Sequence, residues 1–242
     1  MKKNIVITGG TSGVGLAIAR DLDDGENEIM IVGRSREHGL ESLNSLSNQV
    51  HFFQADLTLD SDIEELRNII VEKFARVDSL ILSAGVMPKN TKENIAVNLV
   101  SHYRVAIELA PLLNNGRVLL VSGNPRAVTT MPICESQSTR MEVAGWIVTH
   151  KTLLMIYLAN ELRSRNISVN TFFPGDVRSN LMPYTRDLLK TDVLIGKYLV
   201  LDQNIEGVTG KFFDENGAEV TMNPKKYNYK KAQEVLASYL PI

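Results

Sequence analysis

The sequence predicts an α/β fold: one doubly wound parallel sheet of about seven strands, taking in residues 1–242 as a single domain. Short β-branched and apolar runs alternate with segments of helical spacing over the whole length. The runs are continuously apolar rather than alternating, which is the pattern of parallel strands buried on both faces. No repeat, low-complexity segment or Pro/Gly/Ser linker interrupts them, so right-handed crossovers are expected to join the strands into one sheet.

Ile5-Val6-Ile7 is the first expected strand, with a helix after it from about Gly13 to Leu22. Ile29 to Val32 and Val50 to Gln54 are the second and third strands. Ile63, Leu66, Ile69, Ile70 and Phe74 then recur at helical spacing. Ser79 to Leu82 is the fourth strand, followed by a long helix from about Glu93 to Leu113. Arg117 to Val121 is the fifth strand, and a helix covers about Glu142 to Arg163. Ile167 to Phe172 and Lys211 to Asp214 are the last strands, and a terminal helix runs from about Tyr229 to Tyr239. Ligands of such sheets bind beyond the C-terminal strand ends, so the residues there are the candidates for function.

Composition excludes several function classes. A chain that is 44% hydrophobic and 22% charged is neither disordered nor fibrous. The net charge of −2, from 26 Lys+Arg against 28 Asp+Glu, leaves no basic footprint for nucleic acid or membrane. The single cysteine, Cys134, permits no internal disulfide and suits a reducing compartment. It reads as a buried structural thiol ahead of a nucleophile. The N-terminus begins like a signal peptide, but its apolar run ends after three residues. The apolar stretch from Ala144 to Ala159 has His150 and Lys151 in its middle, which rules out a membrane span. The cytoplasm is the expected location, and no metal site is expected.

The first strand runs into Thr8-Gly9-Gly10-Thr11-Ser12-Gly13-Val14-Gly15. Glycines there allow a tight turn and let backbone approach a pyrophosphate, and the following helix points free N–H groups at it. Gly9, Thr11, Ser12, Gly13, Val14 and Gly15 are therefore expected to hold a dinucleotide; the bland alternative is a tight structural turn. The second strand ends Val32-Gly33-Arg34-Ser35-Arg36 without the acidic residue that would bind ribose hydroxyls. Arg34, and with it Arg36, suits a 2′-phosphate, which favours NADP(H) over NAD(H); the alternative is a solvated arginine. After the third strand, Asp56 either accepts from an adenine amino group or caps the next turn. The small-residue loop Ser83-Ala84-Gly85-Val86 would let backbone pass the cofactor.

The segment from Thr8 to Gly15 resembles the glycine motif of the short-chain dehydrogenase/reductases, and the resemblance runs essentially end to end. It implies a Rossmann-type domain. Asp56-Leu57 is similar to that family's adenine-contacting pair, and Ser83-Ala84-Gly85 to its Asn-Asn-Ala-Gly loop with the asparagines lost. Asn98 to Tyr103 resembles a segment of the retinol-dehydrogenase-like branch, which gives Asn98 a structural and proton-relay role. Pro174-Gly175-Asp176-Val177-Arg178-Ser179 is similar to the loop that holds the nicotinamide carboxamide, implying Pro174, Gly175, Val177 and Ser179 as cofactor residues. Gly210 to Phe213 looks like the late strand of the same branch.

The expected catalytic centre departs from that pattern. The family uses a Tyr with a Lys one helical turn later, so that the ammonium lowers the phenol pKa, and a Ser at the end of the fifth strand. Here the strand ends Val121-Ser122-Gly123, with Gly123 in the place of the catalytic serine. Ser122 is present, but a one-residue shift points it to the other face. Lys151 has Ile147 four residues before it. Counting back from Leu158 to Leu162 instead puts Ala144 and Val148 at the catalytic positions. The one Tyr-x-x-x-Lys, from Tyr227 to Lys231, lies beyond the Pro-Gly loop and reads as coincidence. Three readings stay open. His150, Lys151, Tyr157 or a residue of the loop at about 124–140 acts as the acid, in an NADP(H)-dependent oxidoreductase of a carbonyl or alcohol. The chain binds NADP as a pseudoenzyme or regulatory module. Or it is a non-redox isomerase or lyase. The candidate catalytic residues are Asn98, Ser122, His150 and Lys151.

A small-molecule substrate is expected between the loop at about 124–140, with Arg126, Glu135 and Arg140, and a lid at about 180–200, with Met182, Tyr184 and Arg186. The helix from Glu142 to Arg163 is apolar on nearly all faces, more than one face on a sheet requires. That surplus predicts a homodimer or homotetramer, and the resemblance implies pairing through this helix and the one from Glu93 to Leu113.

Overall fold

The computed structural model describes residues 2–113, 115–133 and 135–242; Cys134 lies outside them. Strands β1 (Asn4–Thr8), β2 (Glu28–Gly33), β3 (Val50–Gln54), β4 (Ser79–Leu82), β5 (Arg117–Val121), β6 (Ser168–Phe172) and β7 (Phe212–Phe213) form one sheet in the order β3-β2-β1-β4-β5-β6-β7. Every pairing is parallel. The order reverses between β1 and β4, so a crevice for ligand opens at their C-terminal ends.

The helices are α1 (Gly13–Leu22), α2 (Arg36–Leu43), α3 (Asp60–Phe74), α4 (Thr91–Ile95), α5 (Ser101–Leu109), α6 (Arg126–Thr130), α7 (Arg140–Glu161), α8 (Leu194–Leu201) and α9 (Tyr229–Leu236). Two apolar layers form, one on each face of the sheet. Ile5, Ile7, Ile29 and Ile31 pack under α1 and α8, while Val6, Met30, Leu80, Leu82, Val118 and Leu120 pack under α3, α5 and α7. Strand residues alternate between these layers, and both are dry, hence the unbroken apolar runs.

The long helix expected from Glu93 to Leu113 is interrupted. A π-helical turn, Ala96–Val100, separates α4 from α5, and a 3-10 turn, Ala110–Leu112, follows α5. Helix α2, which was not expected, is polar and has Gly39 at its centre. A Cβ at Gly39 would enter the Phe52 ring, so close packing on β3 selects the glycine that weakens the helical signal. Helices α6 and α8 arise inside the loop and lid segments. Helix α8 docks on α1, with Ile18 against Gly196 and the Val193 N–H donating to Asp21, so the last part of the segment expected as a lid is fixed to the body of the fold.

The surplus apolar face of α7 has an occupant within the chain. Tyr239 meets Trp146 and His150 edge-on with ring centroids 5.5 Å apart, and Tyr229 stacks on Tyr157 at 5.9 Å. Ala232, Leu236 and Leu240 are buried in the same layer. Part of the apolar surplus of α7 is thus covered by residues that follow β7.

Candidate cofactor and catalytic site

Three loops converge at the C-terminal ends of β1, β4 and β6. The Thr8 hydroxyl accepts from the N–H groups of Ser83 and Ala84, both at 3.2 Å. Gly9 has φ +66°, and a Cβ there would stand 2.7 Å from the Ala84 Cα. A Cβ at Gly13, φ +52°, would stand 2.9 Å from that of Ser179. Any side chain at these glycines would collide or force strain, so the chain is built to bring bare backbone together here. Gly15 completes the turn: its Cβ would land on the Gly9 carbonyl oxygen.

Helix α1 opens on this cradle with Ser12 as N-cap in extended backbone, and no side chain caps it. Its first N–H groups therefore suit an anion. Thr11 and Gly33 lie in contact range, since a Cβ at Gly33 would stand 2.7 Å from the Thr11 hydroxyl. Arg34 follows directly, exposed, and its guanidinium makes no ion pair among the described residues. The cradle fits a dinucleotide pyrophosphate, and Arg34 and Arg36 stand free for a further phosphate.

One carboxylate oxygen of Asp56, Oδ1, caps the next turn. It accepts from the N–H and hydroxyl of Thr58 at 3.0 and 2.7 Å, and Leu57 is buried beside Asp56. Asn98 sits in the π-helical turn with its amide fully engaged. It accepts from the Val86 N–H, and donates to the Val86 carbonyl at 3.0 Å and to Asn94 at 2.7 Å. Asn94 in turn donates to Gln137 at 2.8 Å, which ties the loop after β5 to the loop after β4. Such π turns recur at functional sites because the widened turn re-aims side chains.

Beyond β6, Val177 is buried and Gly175 has φ +81°. The Ser179 and Thr185 hydroxyls lie 3.0 Å apart. The Lys190 amine lies 3.4 Å from the Pro174 carbonyl and, with Arg178, folds the first part of the lid back on this loop.

The expected catalytic residues part company. Lys151 is wholly buried under the end of β5, where its amine donates to the Val121 carbonyl at 3.1 Å. Burial alone pushes its pKa down to about 7. His102 is buried nearby: one ring nitrogen donates to the Ala84 carbonyl at 2.6 Å, and Nδ1 has no partner among the described residues. Burial first, then the Lys151 charge, hold its pKa well below the usual histidine range. The Ser122 hydroxyl is also buried, with no partner among the described residues. Lys151, Ser122 and His102 thus bring polar atoms to the ends of β4 and β5, and a histidine on α5 joins the set that the sequence proposed.

His150 does not join them, which corrects the expectation for this residue. One helical step turns it away from Lys151 towards α9. Its ring stacks on Trp146 at 4.0 Å, Nδ1 donates to the Trp146 carbonyl at 2.9 Å, and Nε2 is buried without a partner among the described residues. Burial pushes its pKa down to about 4. Tyr227 and Lys231 do not form a pair either. The Tyr227 hydroxyl is buried with no partner among the described residues, while Lys231 pairs with Glu234 at 3.2 Å. Val148 reaches the end of β5, so that a Cβ at Gly123 would stand 2.7 Å from its methyl group.

The profile of the family described as short chain dehydrogenase matches residues 3–132, more than half of the chain. The chain belongs to the short-chain dehydrogenase family. Members are oxidoreductases, and the match ends before α7 begins. The 3-oxoacyl-[acyl-carrier-protein] reductase FabG of Chlamydia pneumoniae is 24% identical over 204 residues, 79% of this chain and 80% of that protein. D-beta-hydroxybutyrate dehydrogenase of Rhizobium meliloti is 26% identical over 199 residues, 75% of this chain and 74% of that one. A 3-ketoacyl-(acyl-carrier-protein) reductase from Brucella melitensis, complexed with NADH, superposes with a TM-score of 0.72 at 21% identity, over 88% of this chain and 96% of that chain. A short chain dehydrogenase from Shigella flexneri, complexed with NADP, gives 0.73 at 19%, over 88% and 97%. These two likenesses are likenesses of fold. Among the described residues no helix is long and apolar enough to cross a membrane.

Proposed function

We propose that the chain is a cytoplasmic NADP(H)-dependent oxidoreductase of a small carbonyl or alcohol, with an altered catalytic centre. The observation that carries this reading is the bare-backbone cradle of Gly9, Gly13 and Gly15, closed against Ala84 and Ser179 and facing an uncapped helix end. Gly9 to Gly15 would hold the pyrophosphate. Arg34 and Arg36 would take the 2′-phosphate, Asp56 and Leu57 the adenine, Ala84 and Gly85 the passing ribose, and Pro174 to Ser179 the nicotinamide. A bound nicotinamide supplies or accepts a hydride. The protein supplies the proton, and Lys151 is its source: a buried amine with a pKa near 7 both gives and takes a proton near neutrality. Asn98 positions the 83–86 loop, and Ser122 would offer its hydroxyl to the substrate oxygen.

A second reading is a cofactor-binding module without turnover. It is favoured by the Val148 methyl group beside Gly123, which leaves an apolar contact where the resemblance implies polar catalytic side chains. One experiment separates the two. NADPH and NADH are titrated by fluorescence, and NADPH consumption is followed over a panel of aldehydes and ketones. The oxidoreductase reading expects tighter NADPH binding, turnover of at least one carbonyl, and loss of turnover but not of binding in Lys151→Met. Tight NADPH binding with no turnover across the panel selects the module. Tighter NADH binding, or an unchanged preference in Arg34→Asp, sinks the assignment to NADP(H).

A further inference from the structure

The segment after β7 does more than end the chain. From Tyr229 to Tyr239 it runs antiparallel to α7. Tyr229 lies on Tyr157 and its hydroxyl donates to Glu161 at 2.5 Å, near the C-terminal end of α7. Tyr239 closes on Trp146 and His150, eleven residues back along the same helix. Asn228 caps α9 by accepting from the Lys231 N–H at 2.9 Å; Ala232 and Leu236 are buried between these anchors, and Leu240 just beyond Tyr239. Just before α9, the Lys226 amine donates to the Val128 carbonyl at 3.0 Å and also to the Met131 carbonyl. That contact fixes the start of the segment to α6.

Helix α7 is therefore wrapped within one chain. Of its apolar residues, Trp146, Leu153, Leu154, Met155 and Leu158 are fully buried. Val143, Ile147 and Ile156 are half-buried, and only Met141 at its start is widely exposed, at 75%. A second copy could not reach the face under Tyr229, Leu236 and Tyr239 without lifting the segment away. Lifting it would expose a contiguous apolar surface, and surfaces of that kind associate in water.

We infer that residues 224–240 take the place of a partner subunit on α7, so that the folded chain does not self-associate through this helix. Any partner copy must use another face.

Sedimentation velocity over a concentration series tests this with three proteins. The native chain and Ile147→Glu, which puts a charge on the residual outward side of α7, are expected to show the same mass, 26.9 kDa if monomeric. A native oligomer that Ile147→Glu leaves intact also supports the inference and assigns association to another face. The double variant Leu236→Asp/Leu240→Asp is expected to keep its sheet by circular dichroism and to gain mass with concentration, as the uncovered face of α7 pairs. A native dimer or tetramer that Ile147→Glu dissociates would overturn the inference. So would a folded double variant that stays monomeric at every concentration. If the double variant does not fold, the native chain and Ile147→Glu decide the matter between them.

Discussion

Helices α1 and α7 both begin at the edge of the sheet where its strands end, yet their first turns are finished in opposite ways. At α1, Ser12 stands in the N-cap position without a side-chain bond, and glycines at 9, 13 and 15 keep the approach bare. At α7, Thr139 accepts from the Glu142 N–H, and Glu142 reaches back to the Thr139 N–H, a complete capping box. The open end leaves N–H groups for a ligand to satisfy, whereas the closed end is satisfied by its own sequence. The contrast continues inside the helices. Helix α1 buries only small and aliphatic residues, while α7 buries His150, Lys151, Thr149 and Thr152. One region leaves its first N–H groups open; the other buries polar side chains along its length. The family match includes α1 and stops short of α7.

The largest expected effect tests how rigid the open end is. A methyl group at Gly15 would meet the Gly9 carbonyl oxygen, which belongs to the backbone of the turn itself. At Gly145 in α7 the same methyl would meet the tip of the Met131 thioether, a flexible chain that can swing aside. Gly15→Ala is therefore expected to cost about 3 kcal/mol or more of stability through overpacking, and to weaken NADPH binding. Gly145→Ala should fall within about 1 kcal/mol of the native chain, helped by the better helix propensity of alanine. Urea unfolding of both variants measures the difference. Similar midpoints would mean that the turn at Gly9 yields as readily as a side chain.

The buried amine of α7 gives the next effect, with a definite sign. Lys151 titrates near pH 7 in the folded chain and near 10.4 when exposed. Between those values the unfolded chain binds the extra proton, so stability rises with pH through this window. From pH 7 to 9 the native chain should gain about 2 kcal/mol from this group, at about 1.4 kcal/mol per unit where the difference is complete. Lys151→Met should remove that gain and be the more stable protein at pH 7, because it no longer confines an ammonium in apolar surroundings. Unfolding curves at pH 7, 8 and 9 check this. A native stability that is flat across the window, or a slope that survives in Lys151→Met, would show that the amine has water to reach.

The same contrast explains what could be read from the residues alone. The strands were legible because parallel strands buried on both faces must be continuously apolar, and the glycine-rich turn because close backbone contact leaves no other residue type. The start of α7 was also written in the chain, as Thr139-x-x-Glu142, two residues before the apolar pattern suggested. Helix α2 was hidden by Gly39, a concession to the Phe52 ring. The π-helical turn around Asn98 has no signature in spacing, because one inserted residue looks like ordinary drift in an apolar stripe. His150 and Lys151 are neighbours in sequence and in hydropathy. Only the rotation of α7 against β5 on one side and α9 on the other sends one towards the strand ends and the other into an aromatic stack. The apolar surplus of α7 was legible, but the packing of Tyr229 and Tyr239 on it was not, because that segment lies some seventy or more residues further on and carries no local sign of its destination.

The smallest expected effect addresses the caps directly. Removing the Thr139 hydroxyl takes away the acceptor for the Glu142 N–H at 3.2 Å, so Thr139→Ala should lower stability by about 1 kcal/mol. Ser12→Ala removes a side chain that caps nothing, and with the ligand absent it should change stability by less than about 0.5 kcal/mol. Adding NADPH should reverse the ranking of the two sites. Satisfying the N–H groups of α1 stabilises only the folded state, by an amount that grows with ligand concentration, and the exposed Ser12 hydroxyl stands where a phosphate oxygen would accept from it. Ser12→Ala should then lose part of the stabilisation that the native chain gains, while Thr139→Ala keeps all of it. Thermal unfolding of the two variants with and without NADPH reads both effects. If Ser12→Ala cost as much as Thr139→Ala without ligand, α1 would have to be closed by its own side chain in solution. The distinction between an end made for a ligand and an end made for the fold would then fail at its starting point.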